Sequence, residues 1–130
     1  MTSRRDSGSA SLEIAILAPA LLLMVFIVVQ VSLWSFARSL AHAAAEEGAS
    51  AGAAHGAPAG AAVKRAQHFL LETGGDSLTS VSIGTGGSTA TTVRVEVHGR
   101  ALSVLPGIRG LTVDEDAQAP VERFTSETAP

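Results

Sequence analysis

The 130-residue chain contains no cysteine and no tyrosine, one tryptophan and four phenylalanines. Without thiols there is neither a disulfide framework nor a thiolate metal site, a composition compatible with an exported protein. With so few aromatics the core must be built from Val, Leu, Ile and Ala, so the folded part is small. Positive charge is also scarce. Nine Lys and Arg against twelve Asp and Glu give a formal net charge of −3, and from Arg38 onward there are 7 basic and 10 acidic residues. Phosphate binding needs clustered cations, so nucleic acid is not an expected partner.

No catalytic set is legible either. His42, His55 and His68 stand 13 residues apart, whereas metal ligands on one helix recur every three or four, and they are expected on a solvated surface. Asp114, Glu115 and Asp116 lack the alternating ligands and obligatory Gly of a calcium loop and are expected in a solvated turn. Gly84, Thr85, Gly86 and Gly87 have no Lys and no following helix, so they read as a turn rather than a phosphate cradle. The expectation is a chain that is not an enzyme, with no cofactor, no metal and no small-molecule substrate.

What the chain does have is one long apolar run. Residues 14–37 are 24 positions without a formal charge, and the first 16 carry no polar side chain. As helix they reach about 36 Å, enough for a hydrocarbon core of about 30 Å. Arg4 and Arg5 precede the run and Arg38 alone follows it closely, which places the N-terminus in the cytoplasm and the remainder outside. Within the run, Pro19 deprives the Ala15 carbonyl of its intrahelical partner and predicts a mild kink, which transmembrane helices tolerate. Gln30, Ser32 and Ser35, near Trp34, form a polar stripe where the helix should emerge into the interface.

Beyond the interface, residues 40–54 are nearly all small, with Glu46 and Glu47 on one side. Gly48, Gly52, Gly56 and Gly60 recur every four residues, a spacing that permits close helix packing. Pro58 favours a break from about His55, so the helix is expected to persist to Ala54. A second helix is predicted from Pro58 or Ala59 to Thr73, with Ala62, Ala66, Phe69 and Leu70 on one face, stopped by Gly74 and Gly75. Then the period changes to two. Val93, Val95 and Val97 alternate with Arg94, Glu96 and His98 as a half-buried strand, and Val81 and Ile83 form its weaker partner across a Gly-rich loop. A third strand, near residues 110–114 and extending toward Arg123, would complete an antiparallel sheet for the second helix to cover. Residues 101–109 carry no assignable pattern.

Chemical interest therefore concentrates at the mouth of the apolar run. Glu13 is the only acidic residue between Asp6 and Glu46, and a carboxylate there asks for a partner. At the bilayer centre its cost would be about 2.5–3.5 kcal/mol, and less at the edge. A cut after Gly8 would create an α-amino group on Ser9, cationic at neutral pH, four residues before Glu13. The two charges could then pair within one helix or between packed subunits. The plainer alternative is that Glu13 caps the interfacial helix end near the positive end of its dipole.

Gly8 followed at the fifth position by Glu13, after the basic leader and before SLEIAILAP, resembles the class III signal of type IV pilins. Together with AHAAAEEGASAGA at residues 41–53, it is similar in particular to the TadE-like pseudopilins of tight-adherence (Flp) pilus systems. The resemblance covers residues 4–54. It implies a bacterial minor pilin or pseudopilin-type component of such a pilus or a related secretion apparatus. Processing between Gly8 and Ser9 by a prepilin peptidase and assembly with other pilins or pseudopilins and the pilus machinery are implied with it. The chain departs from the major Flp pilins in having Ile14 after Glu13 and in its length, and Ser9 replaces the Phe common at mature pilin N-termini.

The expected fold is α+β with a pilin-like layout: a long N-terminal transmembrane helix running into an Ala-rich helix, a second short helix, then a small antiparallel β-sheet. Its expected parts are a cytoplasmic leader (1–8), a transmembrane helix (9–37), an Ala/Gly-rich extension (38–56), an extracytoplasmic α+β domain (57–124) and a disordered tail (125–130). The expected localisation is the cell membrane, single-pass, with incorporation in a surface pilus as a further option. The residues singled out are Gly8 and Ser9 for processing, Glu13 for assembly, Pro19 for the kink, and Gly48 and Gly52 for helix packing. Two other readings stand beside this one: an ordinary signal peptide cut after Ala43, releasing a small soluble domain, and an uncleaved single-span protein whose outer domain binds an envelope partner.

Overall fold

The computed structural model describes residues 6–123. The expected tail at 125–130 and the leader residues 1–5 lie outside the described residues. The chain forms helix α1 (Asp6–Ala53), helix α2 (Ala61–Thr73), a single 3-10 turn (Gly75–Ser77) and strands β1 (Leu78–Gly84), β2 (Thr92–Ala101) and β3 (Thr112–Pro120). The strands make one antiparallel sheet in the order β1-β2-β3. This is the α+β layout of two helices followed by a small sheet.

Helix α1 is one uninterrupted element that passes through Pro19. Its two halves have opposite surroundings. Residues 8–29 are exposed along their whole length, whereas from Gln30 onward a buried face develops through Ala37, Leu40, Ala41, Ala44, Ala45 and Ala49. These side chains share one core with Ala62, Ala66 and Leu70 of α2 and with Val95, Val97 and Val113 of the sheet. Alanines on this face let a second layer approach closely, and the three fully buried valines supply the bulk, each contributing about 1.5–3 kcal/mol.

The layer that covers the sheet is α1, across β2 and β3, while α2 lies beside α1 and only grazes β1. This differs from a sheet covered by the second helix. The reason lies in size: α2 meets α1 through Gly48 and Gly52, where a methyl would sit 2.7 Å from the Ala62 carbonyl oxygen and 2.8 Å from Ala62 Cβ respectively. That close approach spends the small face of α2 on α1 instead of on the strands. Between the helices the chain reverses at Gly56 (φ 70°) and Gly60 (φ 81°), which delays the start of α2 to Ala61 rather than Pro58 or Ala59.

The acidic trio is not a turn. Asp114, Glu115 and Asp116 lie in the middle of β3, paired in register with His98, Val97 and Glu96. Alternation sends Val113, Glu115, Ala117 and Ala119 toward α1, and Asp114 and Asp116 to the opposite face. Strand β1 carries a register shift between Thr79 and Ser82, where Ser80 adopts φ 52°. An edge strand with such an irregularity is a poor template for further pairing.

Candidate processing and assembly site

Gly8, Ser9 and Glu13 are helical in this structure and exposed. Among the described residues, no atom outside the local helix lies within 4 Å of the position a Gly8 Cβ would take. Ser9 and Glu13 are one turn apart on one face of α1. Among the described residues no ion pair engages Glu13. Because α1 begins at Asp6, Glu13 lies two turns inside it and not in the capping turn. A cut after Gly8 would make Glu13 the fifth residue of the helix. A peptidase acting there must first open the local helix, and a glycine, about 1 kcal/mol poorer than alanine in a helix, eases that opening.

From Glu13 to Trp34 the helix rises about 31 Å, the thickness of a hydrocarbon core. At the far end of this interval the side chains turn from exposed apolar to specifically bonded. The Trp34 indole N–H donates to the Thr112 carbonyl at 3.1 Å, and the Arg38 guanidinium lies 5.7 Å from the Trp34 ring centroid. Gln30, only 8% exposed, donates from Nε2 to the Leu102 carbonyl and accepts from the Val104 amide, both at 3.1 Å. The polar stripe expected around Trp34 thus divides. Gln30 turns to the β2–β3 connection, Ser32 bonds back to the Val28 carbonyl of its own helix, and the Ser35 carbonyl accepts from Ser39, which lies outside the stripe.

One turn further on, an ionic cluster joins α1 to β3. Glu115, on the core-facing side of the strand and 14% exposed, pairs with Arg38, and its other oxygen lies 3.5 Å from His42 Nδ1. His42 also approaches Glu46 at 3.4 Å. It therefore serves as a bridge between helix and strand rather than as a purely solvated side chain. A charge on the buried face of β3 is tolerable because α1 brings the Arg38 guanidinium to it. On the opposite face of the sheet, Arg94 pairs with Asp116 at 3.2 Å, and His98 Nδ1 is 2.7 Å from Asp114 Oδ1. The hydrogen-bonded Asp114 carboxylate raises the His98 pKa above its ordinary value, against an opposing desolvation. Arg65 reaches back from α2 to Glu47 with two donors at 2.9 and 3.0 Å.

The α1 segment with the open Gly8–Ser9 bond, the lone carboxylate and the exposed apolar surface is also where a family likeness falls. Residues 8–50 match the protein-family model described as TadE-like protein. The TadE-like segment starts at Gly8 and ends inside the buried part of α1, so α2 and the sheet lie beyond it. The match covers about a third of the chain, and the one helix among the described residues that is long and apolar enough to cross a membrane is compatible with a single-pass membrane protein. Comparison with curated proteins and with solved structures gives no significant match.

Two residues carry contacts that the sequence alone did not single out. Glu115 was hidden in an acidic run, although its place in the alternation with Val113, Ala117 and Ala119 marks an inward charge. Gln30 showed a sharper signal, a single carboxamide ending sixteen positions without a polar side chain.

Proposed function

We propose that the chain is a minor pilin or pseudopilin-type component of a tight-adherence pilus or a related secretion apparatus. It enters the membrane through residues 9–37 with its N-terminus cytoplasmic, is cut between Gly8 and Ser9 by a prepilin peptidase, and assembles with other pilins through its N-terminal helix. The observation that carries this reading is the exposed, largely apolar stretch of α1 over residues 8–29, in which Glu13 is the fifth residue after Gly8 and which lies inside the TadE-like match. A surface of that length and composition needs lipid or other helices around it.

After the cut, the Ser9 amine and the Glu13 carboxylate supply opposite charges at the inner edge of the bilayer. In a packed array of such helices, the amine of one subunit meets the carboxylate of the next, which sets their axial register. Release by an ordinary signal peptidase after Ala43 fits the structure poorly. It would take Ala37, Leu40 and Ala41 out of the core and part Arg38 and His42 from Glu115. The decisive experiment is N-terminal sequencing of the mature protein from its own cell. Ser9 as the first residue is the expected result, and a start near Ala44 or an uncut leader overturns the proposal.

A further inference from the structure

The two connections of the sheet differ in chemistry. The distal one, residues 85–91, contains only Thr, Gly, Ser and Ala. The other, residues 102–111, reads LSVLPGIRGL, with Arg109 its only charge, and Leu102, Val104, Ile108 and Leu111 expose their side chains, Ile108 by 59%. A tight turn closes it, with the Ile108 amide donating to the Leu105 carbonyl at 3.3 Å and Gly107 at φ 77°. Loops at a solvated surface are rarely this apolar, and the sheet has such a loop only at one end.

That end is the one beside the membrane segment. Gln30 bonds both the Leu102 carbonyl and the Val104 amide, and Trp34 bonds the carbonyl of Thr112 where β3 begins, so the loop and the strand that follows it are tied to α1 at two heights. Gln30 is about 6 Å closer to the bilayer centre than Trp34 along the helix. With Trp34 at the aromatic belt, the loop therefore stands at the headgroup level or just beneath it. The same clamp explains the burial of Gln30: the loop backbone satisfies a carboxamide that would otherwise face acyl chains.

We propose that residues 102–111 form a second membrane contact, with Leu102, Val104, Ile108 and Leu111 resting in the extracytoplasmic headgroup and acyl boundary and Arg109 among the lipid phosphates. The occupant of this apolar patch is the bilayer itself, because Gln30 ties the loop backbone to α1 at the end of the helix's exposed apolar stretch, next to Val29 and Val31. The inference rests on the reading of residues 9–37 as a membrane span. It adds a wedge beside the helix, so that the outer domain sits down on the membrane instead of standing above it.

The chain has no cysteine, so single-cysteine variants can be labelled cleanly in the full-length protein. Ile108→Cys, Ser88→Cys and Val25→Cys, each carrying an environment-sensitive fluorophore, are reconstituted in vesicles of phosphatidylcholine and phosphatidylglycerol. Quenching by iodide in the water is compared with quenching by lipids spin-labelled near the headgroup or near the chain end. The expected pattern is deep quenching at Val25, shallow quenching at Ile108 with iodide access at least several-fold below that at Ser88, and no lipid quenching at Ser88. Iodide access at Ile108 equal to that at Ser88, with Val25 still quenched, overturns the loop contact alone. Protection from iodide without lipid quenching also overturns it, since a second copy of the chain would then cover the patch. Iodide access at Val25 overturns the span and the loop contact together.

Discussion

Replacing Gly48 by Ala sets two opposed effects against each other at one site. Within a helix interior the change from Gly to Ala stabilises by about 1 kcal/mol, because less backbone entropy is lost on folding. At this position the added methyl lands 2.7 Å from the Ala62 carbonyl oxygen and 3.0 Å from Ala66 Cβ. The oxygen belongs to the backbone of α2 and cannot rotate aside, so α2 must shift away, an overpacking cost of about 1–3 kcal/mol. The net expectation is a loss of about 1 kcal/mol, equivalent to a fall in Tm of roughly 4–8 °C for a domain of this size. Ser50→Ala, at an exposed site two residues on, has the propensity gain without the clash and should raise Tm slightly. Trp34, the chain's single tryptophan and a donor to β3, reports undocking of the sheet by its fluorescence in detergent-solubilised full-length protein. A Tm for Gly48→Ala at or above that of the unaltered chain would refute the close-packed α1–α2 contact, and Gly48→Val should fall further than Gly48→Ala.

Gln30→Leu deprives the Leu102 carbonyl and the Val104 amide of their partner, and exchange of the Val104 amide should speed up roughly tenfold, the equivalent of about 1.4 kcal/mol; unchanged exchange would remove the clamp from the argument. Glu13→Ala should insert into the membrane normally yet lower pilus or secretion output, and normal output from that variant counts against charge pairing in assembly. His98 has a raised pKa in the folded chain, so its ion pair with Asp114 stabilises fully below about pH 6.5 and fades as pH rises through the raised value. The Tm advantage of the unaltered chain over Asp114→Asn should accordingly shrink from about pH 6 to pH 9, and a constant difference would contradict the linkage.

The elements legible in the sequence are those with a strong local signal. The apolar run and the Ala-rich stretch gave α1 to within a residue of its end at Ala53, and the alternating valines gave β2, because periodicity and burial coincide there. The acidic trio misled for a physical reason. Three successive carboxylates in a strand need partners on both faces, and those come from Arg38, His42, Arg94 and His98, far apart along the chain. Which helix covers the sheet was equally hidden, since the alanine face of α1 and the apolar face of α2 both invite a partner. The close contact at Gly48 and Gly52 settles the pairing only once the chain has folded. Residues 102–111 show no period because scattered bonds from distant parts of the chain hold them, Gln30 of α1 to Leu102 and Val104, Ser77 to Leu102 and Ala101 to Leu111, instead of a continuous ladder or helix.

Helix α1 is both the apolar rod and the spine around which the outer core is packed, with no break between Asp6 and Ala53. Mechanically no loop separates the two halves, and Pro19, which removes one intrahelical bond, is the one soft point in the apolar half. A pull along the axis or a twist applied to residues 8–29 passes directly into Val95, Val97 and Val113, and the sheet must travel and turn with the rod. At about 1.5 Å per residue the rod is about 72 Å long, so a small tilt at one end becomes a displacement of several ångströms at the other. The chain is thus shaped as a lever, and any machinery that grips its apolar end moves whatever surface the sheet presents.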